Sequence, residues 1–275
     1  MDLFTPLYPI EFISFGSGSS GNCYILRRGR ECVLIDLGIG IRSFKRYLHQ
    51  YGLKTAHFTA AFVTHDHTDH VKAIGKFAVE TGVPVYTTAG VHEGMQRNRF
   101  MARKIPEGQV RKISVGETVE AAGMSFTAFP VPHDSKDCVG YLVRSENVCL
   151  CIATDIGTPT DEIRAAVSQA DYVVIEANYD LPMLATGRYP QFLKERIRGG
   201  RGHLSNEETG ELLAGSLRQD AKRVWLCHLS EENNTPELAL ATVSKALEQN
   251  GRKTDENFKL EALPRTRPID FCTLD

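Results

Sequence analysis

The sequence predicts an α/β (α+β) chain in which two mixed sheets pack together with helices on their outer sides. Three observations predict it. Apolar alternating runs come in hairpin-like succession, at residues 10–36 and again at 124–153. Other apolar runs alternate with helical patterns. No change of composition marks a linker, so residues 1–275 read as a single domain, at a length that suits about two average domains or one large two-sheet domain.

In chain order, "IEFISFG" alternates, "GSGSSGN" is a tight glycine-serine turn, and "CYILRR" and "ECVLIDLG" complete a strand series. "IRSFKRYLHQY" is helical and ends before Gly52. "FTAAFVT" is a short buried strand. A helix from Thr68 or Asp69 to about Glu80 places Val71, Ile74, Phe77 and Ala78 on one face and stops at Gly82. "VPVYTT" is a strand, and residues 90–103 are helical, with Arg97, Arg99, Arg103 and Lys104 on or beside them. In the second half "MSFTAFPVPH", "CVGYLVRS", "VCLCIATD", "DYVVIEAN", "RVWLCHLS" and "FKLEALP" are strands. Helices fall on "PTDEIRAAVSQA", on "HLSNEETGELLAGSL", where Ser205 and Glu208 have capping-box spacing, and on "TPELALATVSKALEQNG", with proline inside its start and glycine after its end.

Composition bounds the function. Hydrophobic residues at 42% and charged ones at 24% support an ordinary core, and a net charge of −2 gives no bulk argument for binding nucleic acid or membrane. "MDLFTPLYPIEF" lacks the pattern of a secretory signal, and no apolar run reaches the ~18 residues needed to span a bilayer. The seven cysteines are scattered, odd in number and without a CxxC, so they read as buried free thiols in a reducing cytoplasm. Oligomeric state is not encoded in any pattern.

The chemistry concentrates in "THDHTDH". His65, His67, Asp69 and His70 come directly after a buried strand and stand where a helix begins. Imidazole and carboxylate together suit zinc, manganese or iron. His65 and His67 lie two apart on extended backbone and point to one side, while Asp69 and His70 aim at a neighbouring point, so one hexapeptide feeds two adjacent metals. The bland alternative, a histidine-rich polar loop, does not explain why the cluster sits at a strand end. His133, Asp155 and His228 end later apolar runs, and His203 precedes a helix. Their common placement where strands give way to loops makes a pattern that none makes alone. His49, His57 and His92 read as surface residues.

These stretches carry a resemblance. "THDHTDH", "VPHDS", "ATDIG" and "CHLS", in that order, resemble the metal motifs of the metallo-β-lactamase superfamily. "FGSGSSGNCYIL", "IEANYD", "GHLSNEETGELL" and "HLSEENNTPELAL" resemble more narrowly its YycJ/WalJ-type branch, which is similar to RNase Z-type phosphodiesterases. The resemblance spans roughly residues 10–271. It implies a four-layer αββα sandwich and two divalent metal ions. It further implies that His65, His67 and His133 hold one ion, that Asp69, His70 and His228 hold the other, and that Asp155 bridges both. Asp36 orients the metal-binding loop in such proteins, or is here only a turn residue. His203 matches a residue that contacts the scissile phosphate and assists the leaving group, with Glu176 or Glu208 orienting it, or else it is tied to backbone. Asp69 and His203 are thus the catalytic candidates.

The implied mechanism is attack on phosphorus by a hydroxide shared between two ions about 3.5–4 Å apart. Asp155 stands where β-lactam-cleaving relatives that use a cysteine would need one, and Cys151 is four residues early. "GSGSSGN" is a hairpin turn, or a phosphate cradle offering Ser19, Ser20 and Asn22. "RNRFMARK" reads as a solvated face. "LKERIRGGRGH" brings Arg198 and Arg201 up to His203, where they would meet a phosphate backbone, with Tyr189 and Phe192 the only aromatics near. The expected function is therefore a metal-dependent phosphodiesterase or nuclease with DNA as substrate, acting as an exonuclease. The alternatives are a hydrolase of cyclic phosphates, lactones or thioesters, a metal-containing regulatory protein, and a mono-iron persulfide dioxygenase that would leave several ligands idle.

Overall fold

Strict alternation along the strands decides the architecture. The computed structural model describes residues 8–255 and 257–275, so "MDLFTPL" lies outside the described residues. The first half contains β1 (Ile10–Gly16), β2 (Cys23–Arg28), β3 (Glu31–Ile35), α1 (Ile41–Gln50), β4 (Phe58–Phe62), α2 (Thr68–Val71), α3 (Ile74–Thr81), β5 (Val85–Thr87), α4 (Ala89–Arg97) and β6 (Val110–Lys112). The second half contains β7 (Thr118–Ala121), β8 (Met124–Pro130), β9 (Val139–Ser145), β10 (Val148–Ala153), α5 (Asp161–Val167), β11 (Tyr172–Glu176), α6 (Leu181–Thr186), α7 (Gln191–Arg198), α8 (Asn206–Ser216), β12 (Arg223–Cys227), α9 (Pro236–Gln249), β13 (Lys259–Ala262) and β14 (Cys272–Leu274).

Two sheets result, ordered β14-β1-β2-β3-β4-β5-β6 and β13-β12-β11-β10-β9-β8-β7. In each, an antiparallel series gives way to parallel strands, at β3 and β4 in the first sheet and at β10 and β11 in the second. Phe12, Tyr24, Val33, Ile35 and Phe62 of the first sheet meet Phe126, Tyr141, Ile152, Val174 and Trp225 of the second in one buried cluster. The alternate residues face outward. Ile13, Ile25, Leu34 and Ala61 pack on Phe44, Phe77 and Met95 of the helices, and Cys151, Val173 and Val224 pack on Ile163, Leu213 and Val243. Period-two alternation with both faces apolar is what a sheet covered on both sides requires, and the layers are helix, sheet, sheet, helix.

Several local expectations change. The helix expected from residue 68 to 80 is broken after Val71, because the backbone trades partners with its neighbours. Asn22 N–H bonds the Asp69 carbonyl (2.7 Å), and Ala73 N–H bonds Leu37 O (2.9 Å) instead of continuing the helical ladder. Val71, Ile74, Phe77 and Ala78 are nonetheless all fully buried, and Gly82 ends the helix at φ 73°. The helix expected over 90–103 stops at Arg97. Asn98 turns its side chain to Asp66 O (2.8 Å), and the Lys104 ammonium covers the Met95 and Asn98 carbonyls (2.9 and 2.6 Å). His92 is not a surface residue: it is buried, with its Nε2 on Arg111 O (3.1 Å). His49 is exposed and His57 half-buried. The strands β6, β7 and β14 and the helices α6 and α7 have no counterpart among the elements expected from sequence. Six cysteines are buried thiols, and Cys272 is half-buried.

Candidate metal centre

The strands β8, β10, β11 and β12 of the second sheet run in one direction, and β3 and β4 of the first are parallel. Their carboxyl ends deliver the polar residues to one place, as expected where ligands meet open α/β sheets. Asp36 follows β3, His65 follows β4, His133 follows β8, Asp155 follows β10, Glu176 ends β11 and His228 follows β12. Asp36, Asp155 and His228 adopt φ of 59°, 51° and 52°, a left-handed conformation that costs a side-chain-bearing residue energy and turns the chain sharply at the strand end.

Donor atoms within 4.8 Å of one another form overlapping groups: His65, His67 and His133; Asp69, His70 and His228; His65, His70 and Asp155; and Asp155, Glu176, His203 and His228. The first two are the triads that the family resemblance implies, and Asp155 lies with donors of both. The chemistry of these donors fits divalent metals. So does an orphaned donor atom: His65 Nε2 is buried without a hydrogen bond, a loss of about 1–3 kcal/mol if nothing satisfied it. His133 Nε2 and His67 Nδ1 face each other at 3.3 Å, while His133 Nδ1 donates to Gly202 O (2.9 Å).

The surroundings fix these rings. Asp36 accepts from Thr64 N–H (2.9 Å), from the Thr64 hydroxyl (2.8 Å) and from His70 Nδ1 (2.8 Å). His70 Nε2 then points toward Asp155 Oδ2, 3.1 Å away. Glu176 is wholly buried and accepts from His203 Nδ1 (2.7 Å), His228 Nδ1 (3.0 Å), Ile156 N–H (2.7 Å) and Leu204 N–H (3.1 Å). Glu208, the other candidate to orient His203, instead closes the capping box of α8 by accepting from Ser205 N–H (2.8 Å).

Charge follows burial and neighbours. Burial pushes the His65 and His133 pKa values down, and neighbouring imidazoles push the same way. Burial also opposes charge on His70, but the Asp155, Asp36 and Asp69 carboxylates outweigh it and hold His70 up at about 10. The same contest raises His228 and His203, chiefly against Asp155 and Glu176 respectively. Burial would raise Asp155 and Glu176, but the histidines beside them hold both below the usual carboxylate range.

The glycine-serine turn is wired into this centre. Ser17 Oγ accepts from His228 N–H (3.1 Å), and the Asn22 amide lies 2.8 Å from His70 Nε2. Ser19 and Ser20 are exposed at its tip. Arg198 and Arg201 are exposed on and after α7. Arg196, on the same helix, donates through Nε to Asp134 (2.7 Å), and Asp134 Oδ1 stands 3.0 Å from His67 Nε2. Asp134 and Asn178, whose amide donates to His228 O (2.8 Å), are not among the residues expected from sequence. The carboxylate next to His133 in "VPHDS" was the available signal for the first. Tyr189 packs against α6 and α7, whereas Phe192 is free.

Residues 31–229 match the family described as "Beta-lactamase superfamily domain". The chain is 31% identical over 251 residues to the exodeoxyribonuclease YycJ of Bacillus anthracis, covering 91% of this chain and 94% of that one. It is also 31% identical over 250 residues to the exodeoxyribonuclease WalJ of Streptococcus pneumoniae serotype 2, covering 91% and 93%. Among solved structures, the metallo-β-lactamase fold protein YhfI from Bacillus subtilis superposes with a TM-score of 0.69 at 13% identity, over 95% of this chain and 99% of that one. That likeness is one of fold.

Proposed function

We propose, from the premise that this chain belongs to the β-lactamase superfamily, that it is a hydrolase of phosphodiester bonds that works with two divalent metal ions and acts on DNA as an exonuclease. The observation that carries the reading is the division of buried and half-buried donors into two triads around Asp155. His65, His67 and His133 would hold one ion, Asp69, His70 and His228 the other, and Asp155 would bridge them. When bound, zinc, manganese or iron ions supply Lewis acidity that activates water as hydroxide and offsets charge on the phosphate. DNA enters because the relatives that share 31% identity are named exodeoxyribonucleases.

The chain's own residues do the rest. Asp36 and Thr64 lock the His70 ring, so that its Nε2 is the nitrogen offered to the centre. Glu176 holds His203 through Nδ1, which leaves Nε2 to reach the leaving oxygen and give it a proton. Glu176 likewise holds His228 through Nδ1, which turns its Nε2 toward Asp69 Oδ2 (3.3 Å), so that both atoms would face the second ion. Arg198, Arg201, Ser19 and Ser20 are exposed and would meet phosphates of the substrate. We also assign the protein to a reducing compartment, the cytoplasm, in keeping with its buried thiols.

The test is hydrolysis of bis-p-nitrophenyl phosphate with added Mn²⁺ or Zn²⁺. His67→Ala and Asp155→Ala should each lose bound metal and more than ~100-fold in kcat/KM, with circular dichroism unchanged. Full metal content and turnover in either variant would remove the site assignment. Turnover of lactones or thioesters with none of phosphodiesters would make the chain a small-molecule hydrolase.

A further inference from the structure

Beside the candidate centre lies a groove of about 500 Å³, bordered by His67, Thr68, Arg97, Arg99, Phe100 and Lys136. The stretch "RNRFMARK", a solvated face by its sequence, thus forms part of a concave surface next to a metal-ligand candidate. Phe100 is 76% exposed, the highest value among the exposed large apolar side chains of the described residues. The backbone that carries this ring is anchored. Its N–H bonds the Asn98 side chain (3.0 Å), and that side chain bonds the Asp66 carbonyl (2.8 Å), which fastens Phe100 to the turn carrying His65 and His67. The same turn packs closely against α4, where a Cβ on Gly94 would lie 1.9 Å from Asp66 Oδ2.

The charges lean positive. Arg97, Arg99 and Lys136 face Asp66 in the groove, and Glu93 on α4 is shared between Lys136 (3.3 Å) and Arg97 (3.9 Å). Asp66 is already engaged by the Ser135 hydroxyl. Exposing an aromatic ring among guanidinium groups costs solvation and is unexplained by a hydrated face. It is what a strand of unpaired bases and phosphates needs, since every base offers a face for stacking and each phosphate a partner for a cation.

We infer that this groove holds single-stranded DNA running on from the scissile phosphodiester, with Phe100 stacked on an unpaired base and Arg97, Arg99 and Lys136 at its phosphates. This rests on the phosphodiesterase reading and extends it, because paired bases do not offer their faces. The groove therefore favours a frayed or single-stranded end over intact duplex.

The experiment is fluorescence anisotropy with a labelled phosphorothioate single strand, which resists cleavage, on the metal-loaded full chain. Phe100→Ala should weaken binding on the order of tenfold, and Phe100→Trp should restore it. Arg97→Ala with Arg99→Ala should flatten the salt dependence by about 0.7 in slope for each phosphate no longer neutralised. Val79→Ala, which removes an exposed apolar side chain from α3, is the control expected to bind as wild type. Phe100→Ala binding as tightly as this control would overturn the inference while leaving the phosphodiesterase reading intact. So would an association of chains, seen in sedimentation, that Phe100→Ala abolishes without affecting DNA. An RNA strand held more tightly than DNA through Phe100 would overturn the choice of DNA. A wild type that neither binds the strand nor cleaves end-labelled DNA would remove the phosphodiesterase reading itself, and this inference with it.

Discussion

His203 is the residue on which substrate chemistry can be read most sharply. Glu176 holds its Nδ1 at 2.7 Å, and proton donation matters only when the departing oxygen is a poor leaving group. DNA releases an alkoxide, whereas bis-p-nitrophenyl phosphate releases a stable phenolate. His203→Ala should therefore lose ~10²–10⁴ in kcat on DNA and far less on the nitrophenyl ester, with metal content retained. Equal losses on both substrates would make His203 a structural residue. His92 offers a pH-dependent counterpart away from the metal ligands. Burial lowers its pKa below 6.5, the nearby Lys112 charge adds to this, and its backbone partners oppose it. A lowered histidine pKa means that the unfolded chain binds the proton more readily. The stability contributed by neutral His92 is complete above pH 6.5 and is lost as pH falls through the lower folded value. Denaturant titrations at saturating metal should show that His92→Gln loses less stability than wild type between pH 7 and pH 5. Parallel pH profiles would contradict the burial argument. His65 to His70 and the strand-end residues were legible because the apolar runs leading into them mark where strands end. His92 was not, since a single histidine in a helical pattern carries no mark of which face it takes.

At the scale of elements, the site depends on how α2 is held. The broken helix there is no defect, because the Asp69 and His70 carbonyls are taken by Asn22 and Leu37 N–H groups (both 2.7 Å). Gly38 makes the approach feasible, since a Cβ there would lie 1.5 Å from Asp69 O. Gly38→Ala should therefore displace Asp69 and His70, with metal content falling by at least half and thermal stability falling by several degrees. A variant that keeps both would show that this contact is not what seats the ligands. The sequence showed the periodicity of α2 and α3 but not the interruption, which arises from carbonyls claimed across the fold. The same limit hid β6, β7 and β14, which are three or four residues long, and α6 and α7, whose sequences are too polar or short to show a stripe. The capping box of α8 was legible because both of its members lie within one turn.

For the whole molecule, alternation in the strands specified two faces for each sheet, and so the four layers. The order of strands and their direction at the β3–β4 and β10–β11 joints come from tertiary pairing, which no local pattern records. That pairing brings ligand candidates from residue 65 to residue 228 to one end of both sheets, and it places Phe100 beside them, 33 residues on from His67 in the chain. The central claim is that this convergence forms a centre for two ions. Its most direct test is metal content by inductively coupled plasma mass spectrometry after loading with Mn²⁺ or Zn²⁺ and gel filtration. Wild type should carry two ions per chain, His133→Ala and His228→Ala one each, and Asp155→Ala fewer than one. A wild type that saturates at one ion, or an Asp155→Ala variant that still carries two, would contradict it.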